Sequence, residues 1–175
     1  MDPGTRANIV TESHNHFDHA DVAAIVQPYK LITTTGSFQV SGVAITGVSG
    51  YHNRGDTSLT NIIYVFDLAG IRLAQFASQG DPPTEAMLAQ IDHADILIAQ
   101  VCNGGSKLSF QEVRDIVTRL SVKLIIPAHC GSGNTLPFAQ FMAGSSVESF
   151  LDGTLTVAPE DLEKIKAPQI MILDH

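Results

Sequence analysis

The sequence predicts a mixed α/β domain, and three observations lead to this prediction. The second half alternates apolar strands with amphipathic helices, and such strand–helix–strand units pair their strands in parallel. The middle of the chain carries β-branched runs separated by glycine, which predict antiparallel hairpins. Apolar residues make up 44% of the 175 residues and charged residues 16%, so the chain can bury a core. Its length corresponds to a single domain, residues 1–175.

The first half is predicted to be mostly strand. Runs rich in β-branched residues predict strands at 7–11, 30–35 and 38–48, and a hairpin at 61–76 that turns at 67–70. Between the first two runs, Val22, Ile25 and Val26 recur at helical spacing after His19, which predicts a helix there.

The second half is predicted to alternate helices and strands. A helix over 81–91 would use Asp81 as its N-cap and Pro82 as its first residue. Ser109 and Glu112 are spaced as a capping box and predict a helix over 109–120. Apolar runs predict buried strands at 95–101 and 122–127, and two later strands at 154–159 and 169–173.

The composition of the chain limits which partners it can bind and where in the cell it is expected. The net charge of −8 argues against a nucleic acid or an anionic membrane as the main partner. No apolar window reaches the length of a transmembrane helix, and the first residues lack the features of a signal peptide. Cys102 and Cys130 form no CxxC pair, so we expect no disulfide framework and a cytoplasmic location.

The stretch from His14 to His19 holds three of the seven histidines and reads H-x-H-x-D-H, with Asp18 as its acid. Imidazole and carboxylate are the ligands that Zn²⁺ and neighbouring metals prefer. A structural alternative is a polar loop that caps the next helix. Four donors exceed the roughly three protein ligands that one catalytic zinc uses, so the spacing favours two neighbouring ions.

The motif "SHNHFDHAD" resembles the signature of the metallo-β-lactamase fold superfamily. The resemblance extends through "GYHNRGDTSLTNIIYVF" and "LIIPAHC" and covers about residues 2–145. It is most similar to the branch of metal-dependent hydrolases related to the ascorbate-phosphate lactonase. The resemblance implies a four-layer αββα sandwich.

The resemblance also implies a set of metal ligands. His14, His16 and His52 would hold a first ion. Asp18, His19 and His129 would hold a second ion. His93 and His175 match no ligand position and are predicted to be ordinary histidines.

One ligand of the family pattern is missing. Family members place an aspartate between the two metals after the hairpin, and Ser78 stands at that place here. Asp81 follows three residues later and is either a substitute ligand or an ordinary helix cap. Asp56 lies four residues after His52, before the hairpin rather than after it, and is therefore excluded. Without the anion between two dications, the second ion should bind less tightly, so one or two Zn²⁺ (or Mn or Fe) ions are expected.

The chain also begins almost on a pair, Asp2-Pro3, that family members reach only after their first strands. This indicates a misassigned start, a truncated chain, or a natural sandwich that lacks its opening strands and is shortened at its N-terminus. An uncovered sheet edge favours strand pairing with another copy. A homo-oligomer is therefore expected.

The resemblance implies hydrolysis of a small molecule with an ester, lactone or phosphoester bond. A metal-activated water would attack, and Asp18 would have a catalytic role in orienting that water. The alternative is a degenerate, non-catalytic member that acts as a binding or assembly module. The missing aspartate favours this alternative, whereas the six retained ligands favour the hydrolase.

Overall fold

The computed structural model describes residues 4–16, 19–128, 132–142, 144–150 and 153–173. The strands in these ranges are β1 (Thr5–Arg6), β2 (Ile9–Thr11), β3 (Ile25–Val26), β4 (Lys30–Ile32), β5 (Gly36–Val40), β6 (Val43–Asn53), β7 (Asp56–Leu68), β8 (Ile71–Gln75), β9 (Ile96–Gln100), β10 (Leu124–Ala128), β11 (Ser146–Phe150) and β12 (Gln169–Leu173). The α-helices are α1 (Glu85–Ile91), α2 (Phe110–Arg119), α3 (Ser132–Phe141) and α4 (Pro159–Lys164). A short 3₁₀ helix spans Val22–Ala24.

The strands form one large mixed sheet and two small parallel pairs. The large sheet has the order β11-β12-β10-β9-β8-β7-β6-β5, and the pairs are β1–β3 and β2–β4. Strands β5 to β8 are joined antiparallel, and β8 to β12 pair in parallel. The prediction of an antiparallel middle and a parallel end is confirmed, as is the mixed α/β class.

Side chains of the large sheet alternate between two cores, as the period of a strand requires. On β7, Ile63 and Val65 belong to the core beneath α1 and α2, whereas Ile62 and Tyr64 face the opposite side. Those two pack with Ile32 of β4. At this end, the large sheet is therefore covered by helices on one face and by a small strand pair on the other.

The same alternation continues at the parallel end of the sheet. On β9, Leu97 belongs to the helix-covered core, while the neighbouring Ile96 faces a third cluster. That cluster contains Leu162 of α4 and Leu124 of β10. Burial of both faces explains why the parallel strands appear as continuous apolar runs. Among the residues described, no helix is long and apolar enough to cross a membrane.

Two predictions in the first half are wrong. The residues after His19 form only the 3₁₀ turn, because Ile25 and Val26 pair with Thr5 and Arg6 instead, and β-branched residues suit a strand. The predicted strand 38–48 is two strands, joined by a turn at Ser41 and Gly42. Their φ values of 51° and 82° suit a two-residue hairpin loop.

Helix α1 starts later than predicted. Thr84, not Asp81, is its N-cap, and the Thr84 hydroxyl accepts from Met87 N at 3.3 Å. The reason is the Pro82-Pro83 pair, since each proline disfavours a helical conformation in the residue before it. The capping box of Ser109 and Glu112 at the start of α2 is confirmed.

The region after β10 was predicted least well. Residues 154–159 form no strand, because Leu155 and Val157 pack against the third cluster without joining the sheet. Helix α3 and strand β11 were not predicted; α3 carries Pro137 inside, which is not typical of a helix. The strand at 169–173 is confirmed as β12.

Candidate metal centre

The histidine cluster lies on a turn that follows β2. The Ser13 carbonyl accepts from Ile62 N of β7 at 2.9 Å, which fixes the segment against the large sheet. Two further backbone bonds fold the turn tightly, from His16 N to His14 O at 3.0 Å and from His19 N to His16 O at 2.9 Å. The turn therefore aims its histidines at one place beside the end of β6.

Four imidazole rings meet there. The ring centroid of His14 lies 4.8 Å from that of His16, 4.2 Å from that of His19 and 4.6 Å from that of His52. One ligand atom each of His14, His16 and His52 lies within 4.8 Å of the other two. These three are the residues that the sequence assigned to a first ion, and the fold brings His52 to the other two.

Neighbouring residues orient two of the rings. The Nδ1 atom of His52 lies 2.9 Å from Asn53 Oδ1, an oxygen that only accepts, so we place the proton on Nδ1. In His14, Nδ1 lies 2.9 Å from Ser13 Oγ, while the buried Nε2 has no hydrogen-bond partner among the described residues. Such bonds to one ring nitrogen leave the other nitrogen available for a metal.

The site favours the neutral form of His14 and His52. Burial lowers the pKa of His14 from 6.5 to about 3, helped by the nearby His19, His52, His16 and Lys107. The pKa of His52 is also lowered, chiefly by burial and then by the Lys107 charge. Only neutral imidazole binds a metal. The orphaned His14 nitrogen and the neutral rings of His14 and His52 therefore fit a divalent metal ion.

We expect the metal-free protein to lose stability as the pH falls from 6.5. In the unfolded chain His14 takes a proton near its ordinary pKa of 6.5, but in the folded chain only near 3. Between these values the unfolded state binds more protons, so the free energy of unfolding falls by up to about 1.4 kcal/mol per pH unit. Urea unfolding with chelator at pH 7.5, 6.5, 5.5 and 4.5 measures this slope. An equal slope in His14→Gln would contradict the assignment to His14.

His52 owes its buried position to the alternation of β6. Tyr51 is exposed at 38%, whereas the neighbouring His52 is exposed at only 9%, because successive side chains of a strand point to opposite faces. Tyr51 pairs with Thr60 and Asn53 with Asp56, so the extra residues of this irregular hairpin end lie on β7. Strand β6 therefore delivers a buried histidine to the cluster.

The loop after β8 packs against this strand end. Gly80 N donates to Tyr51 O at 2.9 Å. Buried Gln79 accepts from Asn61 Nδ2 at 3.1 Å and donates to Asp81 O at 2.7 Å. Ser78 is exposed at 1%, and its hydroxyl has no hydrogen-bond partner among the described residues. Ser78, where the family pattern expects an aspartate, thus lies in the loop beside His52.

The other predicted site residues fall into two groups. Asp18 and His129 lie outside the described residues, and their roles stay predictions. Asp81 does not join the three-histidine group, since its carboxylate accepts from Gly55 N at 3.2 and 3.0 Å. His93 is exposed and beside Asp92 at 2.9 Å, away from the cluster.

The expectation about disulfides is wrong. Cys102 is disulfide-bonded in the structure, and its partner lies outside the described residues.

Two basic residues of the site were missed from the sequence. Lys107, in a glycine-containing loop, lies 3.1 Å from His52 Nε2. Arg54 forms a two-pronged ion pair with Glu112 at 3.0 and 2.6 Å. That contact lowers the pKa of Glu112 to about 2. No local pattern marked either residue.

The fold and this site define an α/β protein with a histidine-lined centre beside its large sheet. A family model described as the beta-lactamase superfamily domain matches residues 1–129, and the chain belongs to this superfamily. The recognition made from the histidine motif is thereby confirmed, while the similarity to one hydrolase branch stays a prediction. No curated protein sequence matches the chain.

Solved structures share the fold at low identity. A Thermotoga maritima protein described as a Zn-dependent hydrolase of the metallo-beta-lactamase superfamily is 24% identical, with a TM-score of 0.79 over 98% of this chain and 84% of its own. An isothiocyanate hydrolase from Delia radicum gut bacteria is 14% identical, with a TM-score of 0.61 over 95% and 73%. CmlA, a diiron beta-hydroxylase from Streptomyces venezuelae, is 10% identical, with a TM-score of 0.63 over 97% and 44%. The fold thus supports different reactions.

Proposed function

We propose that the chain is a metal-dependent hydrolase of a small molecule with an ester, lactone or phosphoester bond. The observation that carries the proposal is the convergence of His14, His16 and His52 within 4.8 Å. The lowered pKa values of His14 and His52 favour the neutral form that a metal requires, and the buried Nε2 of His14 has no other partner among the described residues. A buried polar atom of this kind is costly unless something binds it.

Each residue of the site has a proposed role in binding the metal or orienting the water. His14, His16 and His52 would hold a divalent metal ion, for which Zn²⁺ is our first choice, with Mn and Fe as alternatives. When bound, such an ion supplies a more acidic water and polarises the oxygen of the scissile group. Ser13 and Asn53 keep two of the rings in the binding orientation. On the resemblance alone, we assign to Asp18 the orientation of the water; Asp18, His19 and His129 are the side chains that a second ion would use if one bound.

Metal analysis followed by a substrate screen tests the proposal. The purified chain, prepared without chelator, should contain at least about one divalent ion per chain. Hydrolysis of a panel of esters, lactones and phosphodiesters should disappear with chelator and return with Zn²⁺, Mn²⁺ or Fe²⁺. Failure to bind any of these ions would contradict the proposal and leave the binding module. A metal-loaded chain that hydrolyses nothing in the panel would leave the metal site standing but argue against these substrates.

A further inference from the structure

A lysine ammonium lies against the candidate metal centre. Lys107 Nζ contacts three oxygens: the His52 carbonyl at 2.6 Å, the Ser78 carbonyl at 3.3 Å and Asn53 Oδ1 at 3.4 Å. These acceptors use the three N–H donors of an ammonium group. Together they form an oxygen cradle, defined by His52, Asn53 and Ser78, that holds one positive charge at the rim of the histidine cluster.

The ammonium does not block the ligand atom of His52. Lys107 Nζ lies 3.2 Å from Nδ1 and 3.1 Å from Nε2. Each ring nitrogen binds a partner along a direction in the plane of the ring, and the directions of the two nitrogens diverge. An atom almost equidistant from both nitrogens therefore lies along neither direction. Lys107 therefore lies against the face of the ring. The Nε2 atom of His52 stays available within the three-histidine group.

The loop that carries Lys107 is built to deliver it. Asn103, Gly104 and Gly105 all have positive φ, at 56°, 95° and 69°, which bends the chain back toward the β6–β7 hairpin. Arg54 then ties the loop to that hairpin: its N–H donates to Ser106 O and its guanidinium to Lys107 O, each at 3.0 Å. The loop and His52 are thus fixed relative to each other.

We propose that Lys107 is the built-in cation of this centre, and that it limits the centre to one metal ion per chain. The inference rests on the proposed function, since it assumes that the three histidines hold an ion. Ser78 supplies no negative charge at the place where the resemblance expects a carboxylate, and the Lys107 charge lies on the carbonyl of that same residue. A second dication there would meet an ammonium instead of an anion, and like charges at such range repel.

Lys107 thus acts on the metal through its charge and not as a ligand, and that charge should weaken metal binding. Removing the charge while keeping the chain length, as in Lys107→Met, is expected to tighten Zn²⁺ binding about tenfold or more. Lys107→Arg should bind like the wild type. The double variant Lys107→Met with Ser78→Asp should take up a second ion, because the repelling charge is replaced by an attracting one.

The experiment is a titration of metal-free protein with Zn²⁺ against a chromophoric chelator, with Co²⁺ absorption as a second measure of ligand number. Lys123→Met is the matched control, because Lys123 is also a partly exposed lysine but pairs with Asp95, outside the centre. Lys107→Gln replaces Lys107→Met if the latter fails to fold, as judged by circular dichroism.

The outcomes separate this inference from the proposed function. One ion in the wild type, tighter binding in Lys107→Met and unchanged binding in Lys107→Arg and Lys123→Met support both. Two ions in the wild type, or unchanged or weaker binding in a folded Lys107→Met, overturn the role of Lys107 and leave the hydrolase proposal intact. No binding by the wild type overturns both.

Discussion

His14→Gln is expected to remove the metal and with it at least about a hundredfold of any hydrolytic activity. Glutamine has a similar size, so the buried position stays filled, but its amide is a poor metal ligand. His14 is exposed at only 5%, and its ring contacts those of His16, His19 and His52. Loss of this ring therefore removes the centre of the cluster. Metal content per chain and the rate on the best substrate of the panel are the two measurements.

His93→Ala is the matched control for that variant. His93 is an exposed histidine whose side chain is 56% accessible and adjacent to Asp92, and it lies outside the three-histidine group. We expect full metal content and an unchanged rate. If His14→Gln kept the wild-type metal content, the assignment of the first ion to this group would be wrong. If both variants lost metal equally, the loss would not be specific to the cluster.

The parts of the site that could be predicted from the sequence are those whose residues are close together in the chain. The H-x-H-x-D-H stretch places its histidines within one turn, so its spacing alone indicated a metal site. His52 could be assigned only through the resemblance, because it lies on β6, far from the motif in sequence. The fold places a ligand atom of His52 within 4.8 Å of those of His14 and His16, and its role as a ligand stays a prediction. The four-residue span of the Ser109 capping box is equally local, and it too was predicted correctly.

The residues that were missed act over long sequence separations. Lys107 meets His52 across 55 positions, and Arg54 meets Glu112 across 58. At Asp81 a local pattern gave the wrong prediction, since the Asp-Pro pair predicted a helix cap. Its carboxylate instead accepts from Gly55 N, 26 positions away. A tertiary hydrogen bond of this kind can replace a local cap, because both satisfy the same acceptor. Local patterns therefore found the candidate ligands of one turn, but not the residues that pack around them.

This positioning depends on close backbone packing as much as on charge. The loop after β8 lies directly on the end of β6, where His52 and Asn53 lie. The Ser78 and His52 carbonyls share the Lys107 ammonium, and Gly80 N donates to Tyr51 O at 2.9 Å. A change in the distance between these two segments would move the oxygen cradle and the His52 ring together. Stability and metal binding should thus be coupled here.

Gly80→Ala should reveal this coupling with the largest stability effect that we expect. A Cβ at Gly80 would lie 2.4 Å from the Asn53 carbonyl carbon and 2.5 Å from Arg54 N; these are backbone atoms that cannot rotate away. We expect a loss of about 3 kcal/mol in the free energy of unfolding and weaker Zn²⁺ binding, because Asn53 orients His52.

Gly42→Ala is the control for Gly80→Ala: the φ of Gly42 is +82°, but a Cβ there would meet nothing within 4 Å. It should cost about 1 kcal/mol and leave Zn²⁺ binding unchanged. Equal losses in urea unfolding, or full Zn²⁺ affinity in Gly80→Ala, would show that the contact does not set the geometry of the centre.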